Sequence, residues 1–142
     1  MKSRQLGSTA IEFALVLFLF FTFMLGITDF SRMLYSWNAA NEATRAGARY
    51  AVVCDNTADA AQVLTKMQAL MPQVQSINLA WDPAGCDAGS CVGVNVTITN
   101  LNYQWISPIA GLARLAPIAM PSFSTYLTRE SMRQDAHSGD MC

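Results

Sequence analysis

The chain has 142 residues, 52% of them hydrophobic and only 13% charged, with a formal net charge of −1. That length fits one domain plus an anchor better than two domains, and the apolar content excludes a disordered tail. The scattered Lys and Arg residues form no basic stripe for phosphate, so no nucleic-acid partner is expected.

The hydrophobicity is concentrated near the start. Between Arg4 and Asp29 the only ionisable side chain is Glu12. Ile11 and residues 13–21 and 23–27 supply an apolar run, with Thr22 and Gly26 as mild interruptions. About 20 such residues cross a bilayer as a helix. A buried core helix would need more surrounding protein than this chain provides. Lys2 and Arg4 precede the run and Asp29 follows it, which places the N-terminus in the cytoplasm and the bulk of the chain outside. A secretory signal peptide is the competing reading. Its template is poorly met, because the run is long, contains an acid, and Asn38-Ala39-Ala40 lies too far downstream.

An ionised side chain is costly in hydrocarbon, so Glu12 is a functional candidate. A short basic leader ends in Gly7, the small residue Ser8 follows, and Glu12 is the fifth residue counted from Ser8. This arrangement resembles the processing site of type IV pilin precursors. The resemblance implies that a prepilin peptidase, a membrane aspartyl enzyme, cuts between Gly7 and Ser8 on the cytoplasmic side. The apolar segment is then kept, and Ser8 supplies the new N-terminal amine. Such an amine, with a pKa near ~8, is mostly cationic at neutral pH. The ammonium and Glu12 are each costly alone in an apolar bundle, and each can offset the other. They can meet within one subunit, four residues apart, or between subunits, where the pair would set axial register. The plainer alternative is a carboxylate that snorkels to the headgroups. Cleavage also removes Lys2 and Arg4, which eases extraction of the anchor from the bilayer.

Beyond Asp29 the sequence "DFSRMLYSWNAANEATRAGARYAVV" continues without Pro and is rich in helix formers. Phe30, Leu34, Trp37, Asn41, Thr44 and Ala48 recur at helical spacing. A second stripe of Ala39, Ala43, Ala46, Gly47 and Ala51 is small and suits close packing. Glu42 with Arg45 and Arg49 marks an exposed face. One helix over residues 8–53 would be roughly 65–70 Å long. Together, "AIEFALVL" and "ATRAGARYA" resemble the TadE-like pseudopilins of tight-adherence (type IVc) pilus systems, and the likeness covers the first third of the chain.

Residues 58–71 carry Ala61, Leu64, Met67 (or Gln68) and Met71 at helical spacing, with Pro72 as the stop and Asn56 or Asp59 as the cap. The period then becomes two. Ile77, Leu79 and Trp81 share one face of a strand, and "DPAGCDAGSC" supplies a turn. Val92, Val94, Val96 and Ile98, extending to Asn100, give the strongest strand signal. Residues 101–121 are broken by Pro108, Gly111, Pro117 and Pro121, with a short helix expected over 106–115. Phe123, Thr125, Leu127 and Arg129 alternate along a third strand. The expected fold class is α+β. A long pilin-like N-terminal helix, its inner half transmembrane, packs on a small domain with a short helix and about three antiparallel strands. The expected division is a leader at 1–7, a transmembrane half at 8–28, an outer half at 29–54, an extracytoplasmic domain at 55–133 and a polar tail at 134–142.

Four cysteines lie outside the anchor, and export makes disulfides their expected state. Cys86 and Cys91 flank the turn between two strands, which pairs them, and Cys54 with Cys142 then staples the tail to the long helix. Zinc would want another spacing and a reducing compartment, so no metal is expected. Asp82 and Asp87 read as turn formers rather than calcium ligands. His137 is the only histidine, and no partnered base accompanies it. The chain is read as a non-enzyme without a cofactor.

The leading expectation is a minor pilin or pseudopilin that primes, caps or joins a pilus used in surface attachment. The resemblance implies partners among the prepilin peptidase, other pilin and pseudopilin subunits and an inner-membrane assembly platform. Main subunits of that pilus class are much shorter, which argues against the bulk polymer. The location implied is the bacterial inner membrane with the C-terminal domain periplasmic, and the extracellular pilus after assembly. The alternative is an uncleaved single-pass adhesin or binding module facing the periplasm.

Overall fold

The computed structural model describes residues 5–54, 59–86, 90–106, 111 and 116–129, with side chains from residue 8 onward. The class is α+β, with a long helix, a short helix and a three-stranded antiparallel sheet. The chain divides into two compact units, Met1–Tyr35 with Gln104–Pro117 and Ser36–Tyr103 with Ile118–Cys142.

Helix α1, Gln5–Val53, runs without a break, as a Pro-free stretch of strong helix formers should. Within the first unit it is long and apolar enough to cross a membrane, and its most apolar 18-residue stretch contributes nothing to the protein interior. Phe13, Phe18, Phe20 and Phe23 all point outward. The hydroxyls on this part of the helix bond back to the backbone one turn earlier. Thr22 donates to the Phe18 carbonyl at 2.8 Å, Thr28 to Met24 at 2.9 Å and Ser31 to Ile27 at 2.8 Å.

In the second unit the buried face of α1 consists of small residues: Ala40, Ala43, Thr44, Gly47, Ala48 and Ala51, followed by Val52. Of the small stripe expected to suit close packing, Ala43, Gly47 and Ala51 are buried and Ala39 and Ala46 half-buried; of the other stripe Thr44 and Ala48 are buried, while Phe30, Leu34 and Trp37 are exposed. The reason for the small face is proximity. Gly47 lies so close to Met67 and Val63 that a Cβ there would come within 2.5 Å of the Met67 sulfur. On the exposed face Arg45 pairs with Glu42 at 3.1 Å, a surface contact of small energetic weight.

Helix α2, Ala60–Leu70, buries Val63 and Met67. Ala61, expected on the apolar face, is exposed, and Val63 takes its place. Asp59 stands at the N-cap without a side-chain capping bond, its carbonyl accepting from Gln62 and Val63 instead. Gln68 ties the helix to the segment that leads into the first strand by donating to the Val74 carbonyl at 2.9 Å.

Strand β1, Ser76–Asp82, pairs with β2, Gly93–Thr99. Residues Asn102–Tyr103 (β3) pair with Ile118–Ala119 (β4) as a separate two-stranded ribbon. Strand β5, Phe123–Thr128, completes the sheet in the order β1-β2-β5. The register aligns Ile77, Ile98 and Phe123, then Leu79, Val96 and Thr125, then Trp81, Val94 and Leu127. These three rows face one core shared with α1 and α2. Thr44 joins α1 to the sheet by a hydroxyl contact to Thr125 at 2.9 Å, and Trp37 meets Phe123 edge-on. Val92 and Asn100 fall outside β2; Asn100 takes a left-handed φ of 59° as the chain leaves the strand. The ribbon β3–β4 lies in the span expected to be irregular. The short helix expected at 106–115 falls largely outside the described residues.

Candidate functional site

The first turns of α1 hold the residues marked for processing and assembly. The Gly7–Ser8 bond lies within the opening turn, where helices fray. Glu12 follows Ser8 by one turn on the same face. Both Ser8 and Glu12 are exposed. Among the described residues no hydrogen bond or ion pair to Glu12 is present, so one copy of the chain leaves the carboxylate open for an external group. Ile11 and Phe13 on either side of it are exposed as well.

Asp29 is the site residue that sequence reasoning missed as anything more than an orientation mark. It is 3% exposed, although Thr28 and Phe30 beside it face outward. Its Oδ1 accepts the backbone N–H of Ile106 at 3.1 Å, which fastens the 104–106 stretch to α1 inside the first unit. A carboxylate placed directly after an apolar run was the available signal. The backbone donor that buries it lies too far along the chain to be read locally.

Cys86 and Cys91 are joined by a disulfide that closes the β1–β2 connection. Cys54, buried at the end of α1, is not a free thiol. The expected pairing with Cys142 falls outside the described residues, as do Asp87 and His137. No group of three or more His, Cys, Asp or Glu side chains able to hold a metal occurs among the described residues.

Asp82 ends β1, which β2 separates from β5 in the sheet. Gly93 stands opposite it on β2, and the Tyr126 ring from β5 lies across that glycine. The Tyr126 hydroxyl donates to Asp82 Oδ2 at 3.1 Å. A Cβ at Gly93 would come within 2.5 Å of the Tyr126 hydroxyl oxygen, so the absence of a side chain makes the crossing possible. Lost hydration, then the hydrogen bond to Asp82, then its negative charge push the Tyr126 phenol above its ordinary value of 10.0. A raised folded-state pKa contributes stability below the unfolded value that is lost as pH rises through the folded one. Asp82→Asn should therefore lower the Tyr126 titration toward 10.0 and flatten the alkaline loss of stability. Ultraviolet phenolate titration, with Tyr126→Phe as the blank, measures this; an unmoved titration would refute the contact.

A family model described as TadE-like protein matches residues 7–49, less than a third of the chain. The matched stretch begins at Gly7 and includes Ser8, Glu12, Asp29 and Gly47. No curated protein and no solved structure matches the chain.

Proposed function

We propose that this chain is a pilin-like subunit of a tight-adherence pilus system, made as a precursor and matured by a prepilin peptidase between Gly7 and Ser8. The observation that carries the reading is the TadE-like match starting at Gly7, on a helix whose apolar half is unburied and whose outer half anchors a folded domain. Residues 8–28 store the subunit in the inner membrane with its N-terminus cytoplasmic and its folded domain periplasmic. From there it primes, caps or joins the filament, in contact with other pilins and an assembly platform.

The opening turn of α1 suits proteolysis. A peptidase must draw the scissile bond out of the helix, and glycine, which weakens a helix by about 1 kcal/mol relative to alanine, lowers the cost. After the cut the new ammonium stands at the helix N-terminus. Glu12 then lies close enough to favour the positive end of the dipole.

Mass spectrometry of the mature protein from its native host tests the reading. A chain beginning at Ser8, and full-length precursor held in the membrane for Gly7→Glu, are the expected results. A mature chain that keeps Met1 would support the single-pass adhesin instead.

A further inference from the structure

We propose that the stretch around Trp105 and Ile106 is a second membrane contact, a side-chain wedge that α1 holds at the lipid headgroup–acyl boundary. Asp29 is the first ionisable residue after Glu12 and marks where α1 leaves the hydrocarbon. Because Asp29 accepts the Ile106 N–H at 3.1 Å, Trp105 and Ile106 are held at that same depth, within the same unit.

The surface at this level suits lipid. Ile106 is 65% exposed, as are Ile27 at 67% and Phe30 at 57%. Trp105 is half-buried and its indole N–H donates to the Ala116 carbonyl at 3.1 Å, so the part of the ring that reaches an apolar layer carries no unmet donor. Tryptophan collects at membrane–water boundaries because its ring is amphipathic. Continuity with the apolar run of α1 commits the occupant to the bilayer rather than to a protein partner.

Asp29 is then a positioning residue. Its carboxylate is shielded from the hydrocarbon edge and fastens a distant part of the chain beside the point of exit. The inference rests on the membrane-anchor reading, not on the pilus. Co-sedimentation with vesicles checks the anchor separately, and N-terminal mass checks the processing.

The test places the full chain in vesicles of phosphatidylethanolamine and phosphatidylglycerol brominated high on the acyl chain. Two variants each keep one tryptophan, Trp105 (Trp37→Phe with Trp81→Phe) or Trp81 (Trp37→Phe with Trp105→Phe). Trp105 should be quenched roughly threefold more than Trp81, which sits on the sheet. Adding Asp29→Ala should reduce Trp105 quenching about twofold, while Asp29→Asn, which keeps the accepting oxygen, should not. Equal quenching of Trp105 and Trp81 in vesicle-bound protein overturns the wedge and leaves that surface for a protein neighbour. Unchanged Trp105 quenching in Asp29→Ala overturns the tether. Trp81 emission of Asp29→Ala in the background that keeps Trp81 alone shows whether the sheet is still folded.

Discussion

Glu12→Ala is expected to abolish incorporation into filaments while leaving cleavage at Ser8, membrane insertion and the folded domain intact. The carboxylate is exposed and makes no contact among the described residues, so its loss removes nothing from a single copy. Insertion should become easier by about 2–3 kcal/mol, the usual cost of an acid within a spanning helix. In a packed bundle the sign reverses. Under the proposed pairing, a neighbour's ammonium would be left buried without a counter-charge, which costs about 3–5 kcal/mol and weakens association by more than about a hundredfold. Pilus yield from cells, read beside the amount of processed subunit in the membrane, separates the two effects. Normal pilus yield from Glu12→Ala would remove the charge-pair proposal while leaving the family match untouched.

Gly47→Leu should prevent the second unit from folding. Even the first carbon of a side chain would meet the Met67 sulfur at 2.5 Å, Met67 Cγ at 2.8 Å and Val63 Cγ1 at 3.3 Å. Met67 and Val63 are fully buried, so neither can swing into solvent. Overpacking by one methylene costs about 1–3 kcal/mol, and a whole isobutyl group should exceed about 4 kcal/mol. That is a large part of the roughly 5–15 kcal/mol that holds a domain together. Gly26 is the internal control. A Cβ there meets nothing within 4 Å, so Gly26→Ala should follow helix propensity and stabilise by up to about 1 kcal/mol. Met67→Ala should recover part of the loss by opening room. Urea unfolding of the full chain in detergent, followed by Trp37 and Trp81 emission, reports these differences. Equal stability of Gly47→Leu and the parent would contradict the packing described at that helix crossing.

The two glycines show what sequence can and cannot carry. Gly26 reads as a mild interruption of the apolar run and Gly47 as part of a small stripe suited to close packing, but the sequence does not say what packs there. The difference arises from α2, which brings Met67 against one of them. The long helix and the alternation of Val94, Val96 and Ile98 were legible because each element writes its own period into the chain. The same holds for Phe123, Thr125 and Leu127 on β5. The ribbon β3–β4 was not legible, since two residues per strand define no period. The small-residue stripe of α1 was legible as a close-packing face, and Ala43, Gly47 and Ala51 are buried there, whereas the spacing of Phe30, Leu34 and Trp37 did not tell that they stay exposed. At the candidate site, Glu12 stood out as the one acid in the apolar run, and Gly7 and Ser8 only through the resemblance to pilin precursors. Asp29 did not, because its role depends on a backbone N–H from the distant residue 106.

The hydroxyls of Thr22, Thr28 and Ser31 have already committed their hydrogens to carbonyls four residues back. Nothing has to be broken there when the surroundings of α1 change. Acyl chains can give way to the flanks of other helices, or the rod can turn about its axis, with the internal bonding of those side chains preserved. Under the proposed function, an exchange of lipid for protein would be decided by how closely the phenylalanine-rich surface is matched and by the fate of one carboxylate.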